Sequence, residues 1–124
     1  MRTALAIALA GAAGALTRWG LNSWFGPRFA SFPWGTLVIN VTGSFVIGVL
    51  FAVLVERGIG SETVRLALMT GFLGAYTTFS AFSLETLRLL EQGAERAAVA
   101  NVVLSVTLGL VAVWLGVVTG RAVS

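Results

Sequence analysis

The chain has 124 residues, enough for one domain, and is 57% hydrophobic, only 10% charged, with a mean hydropathy of +0.94. All eight basic residues are arginines standing singly near the ends of apolar runs. The high isoelectric point is therefore not a nucleic-acid signature, which needs basic side chains gathered on one face. Cysteine and histidine are absent, which excludes thiol chemistry, histidine metal sites and histidine acid–base work; with aspartate absent as well, an enzyme is not expected.

Four apolar runs follow one another, residues 3–22, 35–55, 64–84 and 97–118. Each holds about 20 residues, which at ~1.5 Å per residue covers the ~30 Å hydrocarbon core of a bilayer. Short, charged gaps separate them. The expectation is an all-α integral membrane protein, one domain over residues 1–124 with four transmembrane helices.

The first run has a rival reading, because Met1-Arg2 followed by an apolar stretch and Ala10-Gly11-Ala12 resembles a cleavable secretory signal. The run nevertheless continues to Trp19 and Trp24, which suit an interfacial aromatic belt. It also carries Ala4, Ala8 and Ala12 at four-residue spacing, beside Gly11 and Ala15. Membrane helices associate through such small residues, since lipid tails are as apolar as leucine. Gly43 and Gly48 in the second run, and Ala67, Gly71 and Ala75 in the third, belong to the same class.

The second run places Thr36, Asn40 and Ser44 on one helix face. Asn40 needs partners there: either an interhelical hydrogen bond or, as an amide donor, an anion.

The third run is the least ordinary. Residues 74–82, Gly-Ala-Tyr-Thr-Thr-Phe-Ser-Ala-Phe, crowd hydroxyls and rings where an anchor would carry leucine and valine. Such sequence at membrane depth is tolerated only inside protein or along a cavity. Gly74 lies about 15 Å in from Val64, near the midplane. Gly74 weakens a helix, and Thr77, Thr78 and Ser80 offer hydroxyls for backbone groups freed by a break. Carbonyls exposed there suit a hard cation, and N–H groups suit an anion. The edges of Phe79 and Phe82 carry the positive part of the ring quadrupole, which an anion can face.

The fourth run repeats the polar spacing with Asn101 and Ser105, Thr107 falling on another face. Arg18 and Glu85 are the ionisable residues nearest the hydrocarbon, and a pair between them is geometrically open.

With four spans, Arg2, Arg57, Arg65 and Arg121 fall on one side of the membrane and Arg18, Arg28, Arg88 and Arg96 on or near the other. Charge sets the orientation of membrane proteins, and here four stand against four. Either other determinants fix one orientation, or copies insert both ways and pair antiparallel.

Gly14-Ala-Leu-Thr-Arg18, Gly35-Thr36 with Asn40-Val-Thr-Gly43-Ser-Phe45, and residues 71–82 with Glu85 together resemble the Fluc family of fluoride channels, also called CrcB proteins. The resemblance covers essentially the whole chain. It implies an antiparallel dual-topology homodimer in a bacterial-type plasma (inner) membrane, exporting fluoride passively from the cytoplasm. It further implies a third helix broken near the midplane, with carbonyls of Gly74 and Thr77 from both subunits holding a structural sodium ion. Asn40, Thr78, Phe79, Ser80, Phe82 and Ser105 would line the fluoride path, Arg18 would stand at the entrance, and Glu85 would join a polar network. Ala81 and Asn101 depart from the family pattern, which has a hydroxyl residue at the first position and often tyrosine at the second. Two other classes compete on residues alone. A proton-coupled drug exporter needs a carboxylate deep in the first run, which has none. A non-transporting subunit would explain the small residues but not the repeated polar faces.

Overall fold

The computed structural model describes residues 1–28 and 31–123, and among these every regular element is helical. Helix α1 runs Arg2–Arg28 and α2 Trp34–Glu56. A further helix, α3, occupies residues 62–76, followed by α4, Phe79–Glu91, and α5, Glu95–Ala122. Helices α1, α2 and α5 are long and apolar enough to cross a membrane. The third apolar run is divided. Neither α3 nor α4 alone has that length: the third span, expected over 64–84 with a break near the midplane, consists of two helices meeting at Thr77 and Thr78.

Local chemistry sets several of the ends. Ser61 caps α3, its hydroxyl accepting the Val64 N–H at 3.2 Å, with Glu62 in the first turn where the helix dipole favours an acid. Helix α4 stops at Gly93, whose φ of +79° lets Ala94 N–H reach back to the Leu89 carbonyl at 2.8 Å. Two stretches, Phe51–Glu56 and Leu66–Leu73, are wound in wider π turns.

Helices pack in two close pairs, α1 on α3 and α2 on α5. In the first pair a methyl group on Gly14 would collide with the Phe72 carbonyl, and one on Gly71 would sit 2.8 Å from the Ile7 carbonyl oxygen. In the second pair Gly48 and Gly116 face each other, a methyl on Gly116 lying 3.1 Å from the Gly48 Cα. Gly120 meets Ala52 in the same seam. Backbones this close gain dispersion contacts that leucine-faced helices cannot reach. Ile39, Leu73 and Tyr76 form the buried centre, flanked by Leu21, Ile47, Leu50 and Phe72. Outside it the helices are apolar: Leu5, Leu9, Leu16, Trp19, Leu110 and Trp114 all face outward. A surface of that composition belongs against lipid or another apolar face.

Candidate functional site

Thr77 and Thr78 have extended backbones, with ψ of 156° and 116°. Extension removes the helical partners of the groups on either side, and each freed group needs another. Thr77 keeps its N–H on the Leu73 carbonyl at 3.0 Å and adds its own hydroxyl to the same oxygen at 2.9 Å. Thr78 is held at both ends by one side chain: its N–H donates to Asn40 Oδ1 at 2.8 Å, and its carbonyl accepts from Asn40 Nδ2 at 2.9 Å. A side-chain amide has the donor and acceptor of a peptide group, so Asn40 replaces the missing helical neighbours. On the next element the Thr78 hydroxyl accepts the Ala81 N–H at 3.2 Å and caps α4.

Gly43, one turn beyond Asn40 on α2, makes this approach possible. A methyl group there would collide with the Thr77 side chain and crowd the Tyr76 ring at 3.3 Å. Tyr76 is buried, its hydroxyl 2.8 Å from Thr42 Oγ1 and its ring stacked on Phe72. Arg18 reaches the same region from α1, where its Nε donates to the Ala75 carbonyl at 2.9 Å. A cation at the C-terminal end of α3 also matches the helix dipole.

Asn40, Ser44, Gly74, Thr77, Thr78 and Phe79 share the wall of a pocket of about 300 Å³. Gly74 is helical, with φ of −61°, so the break falls three residues later than the glycine suggested. A methyl group on Gly74 would find nothing closer than the Met69 carbonyl at 3.8 Å, so no packing within the chain requires a glycine there. Among the described residues no donor reaches the Gly74 or Thr77 carbonyl oxygen. Nor do three or more His, Cys, Asp or Glu side chains gather anywhere among them. The donor set at the break is neutral backbone oxygen, the kind a hard cation takes. These residues fit the sodium ion that the resemblance implies.

Past the break, Phe79 is 79% exposed and Phe82 half-buried, their ring centroids 5.6 Å apart. Ser80 is exposed with its hydroxyl 3.3 Å from that of Thr78. Glu85 Oε1 accepts the Thr36 hydroxyl at 2.7 Å, while Oε2 is sealed from solvent and no donor among the described residues reaches it. The same carboxyl lines a second pocket of about 460 Å³ with Asn22, Trp34, Thr36 and Arg88.

The structure thus brings Asn40, Gly74, Thr77, Thr78 and Phe79 into one pocket wall, sets Arg18, Ser80 and Phe82 against this region, and places Glu85 with Thr36 in the other pocket. Ser105 stands apart, its hydroxyl 3.4 Å from Asn101 Oδ1. The ion pair considered between Arg18 and Glu85 does not form, because Arg18 binds a backbone carbonyl and Glu85 a threonine. Sequence reasoning overlooked Thr86, which accepts from Asn101, and the Gly116–Gly120 face of α5. The four-residue spacing of Gly116 and Gly120, at and just past the end of the fourth run, was the available signal for that face.

A family model described as CrcB-like protein, Camphor Resistance (CrcB), matches residues 5–117. A fluoride-specific ion channel FluC of Methylococcus capsulatus is 54% identical over 117 residues, covering 94% of this chain and 51% of its own length. Proteins of the same name from Trichlorobacter lovleyi and Acidobacterium capsulatum are 43% and 48% identical, covering 100% and 94% of both sequences in each comparison. The chain therefore spans about half the Methylococcus protein and all or nearly all of the other two. With a match running from residue 5 to residue 117, the chain belongs to the CrcB family.

Proposed function

We propose that this chain is a fluoride-selective channel, a multi-pass membrane protein rather than an enzyme, that lets fluoride leave the cytoplasm down its gradient and so lowers its toxicity. The observation that carries this reading is the interrupted third run. Its freed backbone is held by Asn40, Arg18 and Thr77, and two phenylalanines follow immediately. A small, strongly hydrated anion crosses a membrane only where donors and polarised edges replace its water. Asn40 spends its oxygen and one amide hydrogen on Thr78 and keeps a second hydrogen to donate. The hydroxyls of Thr78 and Ser80, the edges of Phe79 and Phe82, and Ser105 supply the remaining contacts along the path. Arg18 draws anions toward the break, and Glu85 holds the polar network beside α2.

The working unit is an antiparallel dual-topology homodimer of four-span subunits in a bacterial-type inner membrane. The even distribution of arginines supports insertion in both directions. The open Gly74 supports a second copy at this face, since among the described residues a methyl group there would meet only the Met69 carbonyl, at 3.8 Å. Gly74 and Thr77 carbonyls from both copies would hold sodium, which when bound supplies positive charge and joins the subunits.

Ion release from liposomes containing purified protein tests the proposal. Rapid fluoride release with chloride retained is the expected result. Failure to release fluoride from vesicles with confirmed incorporation would sink it.

A further inference from the structure

Asn101 is 1% exposed, on a helix otherwise dominated by apolar residues. An amide buried so completely must bond both its nitrogen and its oxygen. Its Nδ2 donates to Thr86 Oγ1 at 2.9 Å, and the Thr86 hydroxyl in turn donates to the Phe82 carbonyl at 2.8 Å. On the other side the Ser105 hydroxyl approaches Asn101 Oδ1 at 3.4 Å. A continuous series of polar atoms therefore runs from α5 into the backbone of Phe82.

Helix α4 has little else to fix it within the chain. Of its 13 residues only Leu89 is buried. Glu85, the residue before Thr86, is tied to Thr36 on α2. Two consecutive residues of α4 are thus held by two different helices. Turning α4 by a single residue, about 100° of helix rotation, would break both ties together.

We infer that Asn101 is a positioning residue for Phe82: it acts through Thr86 to fix the rotation of α4, and does not itself contact the transported ion. The inference rests on the reading of Phe82 as part of the ion path. Because the chain has no cysteine, Ser83→Cys provides a single attachment point for a nitroxide spin label on the exposed side of α4. The label's rotational mobility reports the placement of α4 without reference to fluoride.

Four variants decide the matter: Thr86→Val, which keeps shape and loses the hydroxyl, Thr86→Ser, which keeps the hydroxyl, Asn101→Leu, and the Val/Leu pair. Thr86→Val and Asn101→Leu should each slow fluoride release about five-fold and change label mobility about two-fold, as loss of one shared contact predicts. The pair should do no more than either single change, and Thr86→Ser should match the parent. Flux losses that multiply in the pair would overturn the inference, as would slowed flux with unaltered label mobility in Asn101→Leu, which would make Asn101 a direct ion contact. Should Asn101→Leu fail to assemble, the contrast between Thr86→Val and Thr86→Ser decides alone, because neither opens a large cavity. A parent protein that releases no fluoride would defeat the channel reading, while the label measurements would still judge the positioning of α4.

Discussion

Helices α3 and α4 are two halves of one apolar run, yet they are held by different forces. Helix α3 buries Gly71, Leu73 and Tyr76, with its backbone against α1 at Gly14. Helix α4 buries only Leu89 and depends on hydrogen bonds from Thr36 and Asn101. Close packing of this kind is all or nothing, since a backbone cannot retreat from a new methyl group without moving the helix. Hydrogen bonds between side chains permit small adjustments at modest cost. The half carrying the Gly74 and Thr77 carbonyls is therefore the rigid one, and the half carrying the rings the adjustable one. Asn40 stands at the junction, where its amide stitches the two together at Thr78.

The strongest test of the comparison lies in the glycine seam. Leucine at Gly14 would strike the Phe72 carbonyl, a clash that no choice of rotamer relieves. Overpacking typically costs about 1–3 kcal/mol and more where backbone is struck. Gly14→Leu should therefore abolish monodisperse protein on size-exclusion chromatography. Leu87→Ala, at an exposed position of α4, should leave it intact. Next in size is Asn40→Leu, which orphans the Thr78 N–H and carbonyl together. Each unpaired buried group costs roughly 1–3 kcal/mol. Thermal unfolding in detergent should show this loss, accompanied by loss of fluoride release. A variant melting with the parent would mean that the amide does not hold the break. Thr36→Val is milder, since hydrogen bonds between membrane helices average ~0.6 kcal/mol with a maximum near 1.7. It should lower the melting temperature slightly and slow flux more than it lowers stability, because it frees α4 while sparing α3. Equal, large losses in both measurements would show that α4 is as rigidly seated as α3.

Much of this was legible in the sequence. Apolar run lengths located the helices, because a bilayer imposes one length on every span. The hydroxyl-rich residues 74–82 marked the break. Its position was displaced, because glycine propensity is a weak force beside a tertiary partner. Gly74 stays helical, while Thr77 and Thr78 extend where Asn40 can take over both groups of Thr78. Arg18 was readable as a charge near the membrane but not as a ligand of the Ala75 carbonyl, which needs the α1–α3 crossing that Gly14 and Gly71 permit. Thr86 carried no signal of its own. A threonine on a helix commonly bonds its own backbone, as Thr86 does at Phe82, and only the partner on α5 gives it a further role.

The smallest expected effect lies at the opposite end of α2, where another polar tie joins two helices. Arg121 donates to both oxygens of Glu56 at 2.9 and 2.8 Å, and Arg57 donates to the Gly120 and Arg121 carbonyls at 2.7 and 2.9 Å. Arg121 makes two contacts where Thr36 makes one with Glu85, yet the groups are exposed and water can replace either partner. Here α2 and α5 are already locked by Gly48, Gly116 and Gly120, so the ion pair has no positioning left to do. Glu56→Gln should shift the melting temperature least of these variants. The shift should shrink further as salt approaches about 1 M, where charges are screened within ~3 Å. The Thr36→Val shift should survive the same salt, since a neutral donor bonded to a sheltered carboxyl is not reached by mobile ions. A salt-sensitive Thr36→Val shift, or a Glu56→Gln shift as large and as indifferent to salt, would mean that the ties on α4 lie in water. The distinction between its two halves would then rest on packing alone.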